Sequence, residues 1–413
     1  MLKIDEDRLL NDILLTRNRL VYGVSKEKIK KDYNGMYLLN KVLANSFNKY
    51  VIMDKMFLDF NGTVELLEKN HDRVVNDFYT KVSNYGEILV NSFNNFDKIT
   101  NKYNSTYLPY YGVIKNYSEK DFKEIILSYF STYGNDIYKI AKKYFDENRI
   151  QMAYTTKIDS IDENIGGFFA SLSWLDSGYI ISLYNKYNTT SLLSICHELG
   201  HAIDAERFIF SQKKKIDPFS DPFLEIPSTF FEIGAHYYLI NQKIDVFGSK
   251  ILLNDRYYVI RNSSESMTNI YSSDNVIMQK DGDILIPCRK NYKKEDVIFN
   301  SDNSIIINGE LLYNYELKDD EVIIDAYLKY PFRDDIIYGL GYYIAFHLNE
   351  IRNKDIKDFN RIFNDIITLR KEANLEDLIN LLGISKDEFT SCKLIEDRMK
   401  EDILSLNKKF NVY

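Results

Sequence analysis

Proline is scarce in this 413-residue chain (6 residues), cysteine scarcer still (3), and tryptophan occurs once. So few prolines leave helices largely uninterrupted, and the frequent charged, apolar-periodic stretches favour a helical fold. The cysteines, Cys196, Cys288 and Cys392, are odd in number and far apart, which argues against a disulfide framework and for a reducing compartment. No segment approaches the ~20 consecutive apolar residues of a membrane-spanning helix. The opening residues, MLKIDEDRLL, carry acidic side chains where a secretory signal needs an apolar run. These absences predict a cytoplasmic protein without a membrane segment. Basic charge is lacking as well: 53 Lys and Arg stand against 61 Asp and Glu, for a net charge of -8. The one tight basic run, Lys213-Lys214-Lys215, reads as a solvated loop, so nucleic acid is excluded as the main partner.

What is present is the composition of a soluble globular protein, 45% hydrophobic and 28% charged, long enough for a large core and two or three domains. Residues 1 to about 150 read as helices with charged faces. Ser118-Glu119-Lys120-Asp121 is a capping-box start for a helix containing IILSYF, with Asp in place of the usual Glu. A second helix is expected from about Asn135 to Asn148. The runs FFASLSW and YIISLY, separated by Asp176-Ser177-Gly178, read as a β-hairpin. Thr189-Thr190 then opens a mostly buried helix, SLLSICHELGHAIDAERF, and another begins near Pro227, a residue tolerated in a first helical turn. Between about Val276 and Tyr315 the pattern turns to strands, with Asn308-Gly309 a strong hairpin signal. Helices resume from about Asp335. The expected fold class is mainly α with a small β-sheet, a helical N-terminal region over 1–117 and a β-rich insert at about 275–316.

His197-Glu198-Leu199-Gly200-His201 is the motif that carries chemistry. Residues four apart share a helix face, so both imidazoles can address one metal ion. Glu198 lies about 100° round the helix, where it can act on a water held by that metal without being a ligand. The ion this pattern selects is zinc, which lowers the pKa of its water so that Glu198 can take the proton and later deliver it to a leaving amine. The positions three and six residues past His201 hold Asp204 and Arg207, which excludes the metzincin continuation. A glutamate from a following helix is the other common third ligand. Glu225 in Leu224-Glu225-Ile226-Pro227-Ser228 is a candidate, although an acidic residue there also serves as a favourable first-turn charge. Asp204, one turn after His201, is placed either to orient an imidazole or to sit at the helix end. Cys196 points to a different face and reads as a small buried residue.

HELGH followed by EIPS, preceded by a Gly-rich hairpin, resembles the oligoendopeptidase F and thimet oligopeptidase family of zinc peptidases. The resemblance runs from about Ser118 to Leu239 and returns at Tyr338 to Ala345; residues 1 to about 117 carry no matching motif. It implies a zincin-type catalytic region over 118–413, Zn²⁺ held by His197, His201 and Glu225, and Glu232 supporting the ligands from two turns further on. His236 falls on the same helical stripe. The family's substrate-binding tyrosines correspond to Tyr338 and Tyr342 in Tyr338-Gly339-Leu340-Gly341-Tyr342-Tyr343, whose phenols would stabilise an oxyanion. Two positions depart from the family pattern: a further tyrosine is replaced by Ala345, and a histidine by Arg333, which is either a cationic oxyanion donor in place of the tyrosines or a surface residue. The chain is also shorter than typical members, and the β-rich insert replaces expected helices. The implied activity is zinc-dependent hydrolysis of internal bonds in short or unfolded peptides by a Glu-activated, zinc-bound water. The alternatives are a processing peptidase dedicated to one small peptide, and an inactive peptide-binding relative.

Overall fold

The computed structural model describes residues 82, 84–103, 114–152, 167–172, 177–182, 186–210, 222–272, 277–278, 284–300, 305–307, 310–312, 316–318, 320–330, 332–354, 356–369 and 374–410. Most of the expected N-terminal helical region, Lys213 to Lys215, and the first part of the Gly-rich approach to the hairpin lie outside these residues.

The described residues begin with the helices α1 (Gly86–Lys102), α2 (Glu119–Ser131) and α3 (Asn135–Asp146). Ser118 caps α2 by accepting from the Asp121 amide, the cap that its sequence predicts. A small sheet follows, made of β1 (Ile150–Met152), β2 (Gly167–Leu172) and β3 (Ser177–Ser182) in the order β1-β3-β2. β2 and β3 form the expected antiparallel hairpin, while β1 joins β3 in parallel. Ser177 and Gly178 belong to β3 rather than to the turn. Among the described residues β2 is an outer strand of this sheet.

The next two helices form the centre of the molecule. α4 (Thr189–Asp204) is capped by Asn188, not by the threonines after it, in a reciprocal box with Ser191; an amide oxygen is the stronger cap. It runs into a π-helical turn at Ala205–Phe210. α5 (Ile226–Asn241) starts with Pro227 in its first turn and is buried on nearly every side. A helix apolar all round must be wrapped by others. Phe230 and Phe231 pack on Phe130, Tyr133 and Phe363, and each such buried ring contributes roughly 1.5–3 kcal/mol. α6 (Val246–Ser272), α7 (Phe332–Lys354) and α8 (Ile356–Leu369) pack on α5, and α9 (Leu375–Leu382), α10 (Lys386–Ser391) and α11 (Lys393–Phe410) pack outside them.

Among the described residues, strands and one 3₁₀ turn lie between α6 and α7: β4 (Ile277–Met278), β5 (Ile284–Lys293), β6 (Ile298–Phe299), β7 (Ile305–Ile307), β8 (Glu310–Leu312), β9 (Glu316–Lys318) and β10 (Glu321–Tyr330). They make two sheets, β4-β5-β10-β9 and β6-β7-β8. The hairpin across Asn308-Gly309 is present as β7 and β8. β9 and β10 continue the strands beyond the expected end near Tyr315, and β10 pairs with β5 along its whole length. The fold is thus mainly α with small sheets. Among the described residues no helix is long and apolar enough to cross a membrane.

Candidate metal centre

Three side chains of the expected ligand set converge. His197 and His201 project from α4, and Glu225 lies at the entry to α5. Glu225 Oε2 lies 3.2 Å from His197 Nε2 and 3.1 Å from His201 Nε2, and all three donor atoms lie within 4.8 Å of one another. Bonds of ~2.0–2.1 Å to a tetrahedral ion would separate neighbouring donors by roughly 3.3 Å, and two imidazoles with a carboxylate are a donor set suited to zinc. Glu225 occupies the N-cap position of α5 yet makes no side-chain cap bond, so its carboxylate is directed to the histidines instead. Ser228 donates its hydroxyl to Glu225 Oε2 at 2.7 Å and fixes that orientation.

Two glycines permit this convergence. A Cβ on Gly200 would stand 2.6 Å from Ser228 Cα and 2.7 Å from the Pro227 carbonyl oxygen, so α4 and the start of α5 touch backbone to backbone. A Cβ on Gly341 would stand 3.0 Å from Glu225 Cβ and 3.2 Å from its carbonyl carbon and oxygen. Glu225 is therefore clasped between α4 and α7.

Behind the histidines lies Glu232, 1% exposed. Its Oε2 is 2.8 Å from His197 Nδ1 and accepts from the Tyr342 hydroxyl at 2.7 Å. Its Oε1 accepts from Arg256 Nε at 2.6 Å, and His236 Nε2 stands 3.9 Å from the same oxygen. Burial alone would raise the Glu232 carboxyl, but the Arg256 guanidinium and His197 outweigh it and hold it well below the usual range. Burial likewise opposes charge on His197, yet hydrogen bonds to Glu225 and Glu232 raise its pKa to about 10. Glu225 is driven well below its ordinary value because His201 and His197 overcome its burial. Glu198 moves the other way. Burial raises its carboxyl and the neighbouring Glu225 and Glu232 add to the shift, against opposition from His197 and His201. A carboxyl with a raised pKa beside a ligand set is suited to proton transfer.

The remaining expected residues fall as follows. Tyr338 is half-buried, its ring stacked on His197 at 6.0 Å between centroids, with Tyr342 a further 6.4 Å away. Tyr342 is 4% exposed, and its hydroxyl donates to Glu232 Oε2 at 2.7 Å. Tyr343 donates to the Phe389 carbonyl in the core. Asp204 is buried at the end of α4, while His201 has its charged contact with Glu225. His236 is fully buried, with Nδ1 on the Ser249 carbonyl at 3.0 Å, and burial lowers its pKa to about 3. Cys196 is buried with a free thiol. Arg333 lies in the first turn of α7, but its side chain is outside the described residues. Arg256 belongs to the same cluster. It lies 24 residues from Glu232 on a helix with no motif, and no local signal links the two.

No family model and no curated protein sequence matches the chain. Among solved structures, it is similar to a protein provisionally designated oligoendopeptidase F from Bacillus anthracis str. Ames, with 11% identity over 99% of this chain and 73% of that one, at a TM-score of 0.41. A second structure provisionally designated oligoendopeptidase F is similar at 10% identity over 98% of this chain and 75% of that one, with a TM-score of 0.47. PZ peptidase A, solved with an inhibitor, is similar at 11% identity over 98% and 75%, with a TM-score of 0.40.

Proposed function

We propose that the protein is a zinc-dependent peptidase that cleaves internal bonds of short or unfolded peptides in the cytoplasm. His197, His201 and Glu225 hold the metal in this reading. The observation that carries it is the meeting of two imidazole nitrogens and one carboxylate oxygen beside a fourth group, Glu198, that none of those contacts requires. Bound zinc supplies Lewis acidity at that point. Glu198 takes the proton of the attacking water and passes it to the leaving nitrogen. Glu232 holds His197 by its Nδ1, which directs Nε2 towards the metal. Tyr338, stacked on His197, is the phenol we assign to the scissile carbonyl oxygen. The outer strand β2 offers a backbone edge along which an extended peptide can lie. Residues 118–413 form the catalytic region, and the strands between α6 and α7 are an insert that affects which peptides enter.

Elemental analysis and a quenched-peptide assay test this together. The wild-type chain is expected to bind one zinc and to cleave peptides. His197→Ala, His201→Ala and Glu225→Ala should each lose the metal, because each removes one of three protein ligands. Glu198→Gln should keep zinc and lose cleavage by several orders of magnitude. Stoichiometric zinc in the double histidine variant would end the proposal. Peptide binding without cleavage by the wild type would favour a non-catalytic binding protein.

A further inference from the structure

We propose that Arg256 is a positioning residue for the zinc centre, acting on His197 through Glu232 and Tyr342; this rests on the reading of the centre given above. Arg256 projects from α6, the helix that leads into the β-rich insert. Its Nε donates to Glu232 Oε1 at 2.6 Å, and its guanidinium lies over the Tyr342 ring, 5.4 Å from the centroid. Tyr342 returns its hydroxyl to Glu232 Oε2 at 2.7 Å, and the same oxygen meets His197 Nδ1 at 2.8 Å. Arg256, Glu232 and Tyr342 therefore close a ring, drawn from three helices, with His197 attached at one corner.

The ring removes the freedom that Glu232 would otherwise have. A glutamate with one oxygen on His197 alone can rotate about its terminal torsion, which is broad and roughly two-fold. Holding Oε1 with a guanidinium and Oε2 with a phenol leaves one orientation. The His197 ring is thereby fixed in the plane that aims Nε2 at Glu225 and His201. Charge supports the same arrangement. Glu198, Glu225 and Glu232 are all nearly buried close to His197, and Arg256 brings a permanent positive charge to Glu232. α6 has a separate anchor, where Lys250 and Tyr257 meet Asp402 of α11 at 3.1 and 3.2 Å. The guanidinium is thus delivered from a helix whose position does not depend on the metal ligands. Lysine would not substitute fully, because its ammonium offers neither a planar face for Tyr342 nor the directed Nε–H.

The test measures zinc affinity by competition with a chromophoric chelator and records the visible absorption of the cobalt-substituted full-length chain. Arg256→Met should bind zinc roughly 10- to 100-fold more weakly, as losses behind a ligand do, with an altered cobalt spectrum and a fall in kcat at unchanged KM. Arg256→Lys should recover part of the affinity. In a Glu232→Gln background Arg256→Met should add nothing, since its route to the metal is already cut. Unchanged zinc affinity and cobalt spectrum in folded Arg256→Met overturn the inference, as does a full additional loss in the Glu232→Gln background. Should Arg256→Met fail to fold, Arg256→Lys carries the test, and an unshifted cobalt spectrum overturns the inference. A wild type that binds zinc no better than His197→Ala overturns the reading of the centre itself, and this inference with it.

Discussion

Glu232 and Glu225 sit seven residues apart on one helical stripe, and helical period alone does not tell them apart. Their surroundings separate them. Glu225 faces two Nε2 atoms, whereas Glu232 faces an Nδ1, a phenol and a guanidinium. The two tyrosines of the Y-x-x-x-Y-Y stretch divide in the same manner, because Tyr338 lies stacked on His197 and Tyr342 donates to Glu232. Tyr338→Phe is expected to lower turnover by roughly 10²–10³ while zinc affinity holds, the size of loss seen for a single oxyanion donor. Tyr342→Phe is expected to weaken zinc by up to ~10-fold through Glu232. Paired zinc titrations and peptide assays check the division, and it is wrong if both variants lose turnover alone. The HExxH residues were legible because their geometry is local to one helix. Glu225 was legible only through its motif, since an acid at a helix start has a commoner use. Arg256 was not legible, because its contact exists only after α6 has packed against α5.

At the scale of elements, the centre depends on how closely three helices approach. Gly200 and Gly341 set that approach, one against Pro227 and Ser228, the other against Glu225. The atoms that an added methyl would meet are mostly backbone, which cannot move aside as a side chain tip can. Gly341→Ala is therefore expected to cost about 1–3 kcal/mol of stability, the usual range for overpacking, and to weaken zinc by displacing Glu225. Denaturant unfolding with and without added zinc measures both effects, and a variant with wild-type stability and affinity would show that α7 can shift freely. Local signals read the elements unevenly. Ser118 and the hairpin of β7 and β8 were legible, because caps and two-residue turns are written in adjacent residues. β10 escaped, because its partner β5 ends 28 positions earlier by residue number (Lys293 to Glu321). Nothing within EVIIDAYLKY itself requires that pairing.

For the whole molecule, burial of ionisable groups couples the fold to pH, and His347 isolates one such contribution away from the metal centre. It lies on α7 with 0% exposure, its ring 5.1 Å from those of both Tyr343 and Phe389. Neither ring nitrogen has a hydrogen-bond partner among the described residues. Burial alone lowers its pKa to about 3, against ~6.5 for an exposed histidine. Between those values the unfolded chain binds a proton that the folded chain refuses, so unfolding free energy falls as pH falls. The loss begins near pH 6.5, grows by about 1.4 kcal/mol per pH unit and levels off near pH 3. Buried carboxylates held below their ordinary range, such as Glu225, also lose stability on acidification. The wild type must therefore be compared with a variant that lacks only this imidazole. His347→Leu keeps an apolar filling between Tyr343 and Phe389 and removes the titration. Its unfolding free energy, measured by denaturant at pH 7, 6, 5 and 4 with chelator present throughout, should fall less steeply than that of the wild type by nearly one proton. Parallel curves for the two chains would show that His347 reaches solvent or finds a partner in the folded state, and that its burial does not set the acid limit of the fold.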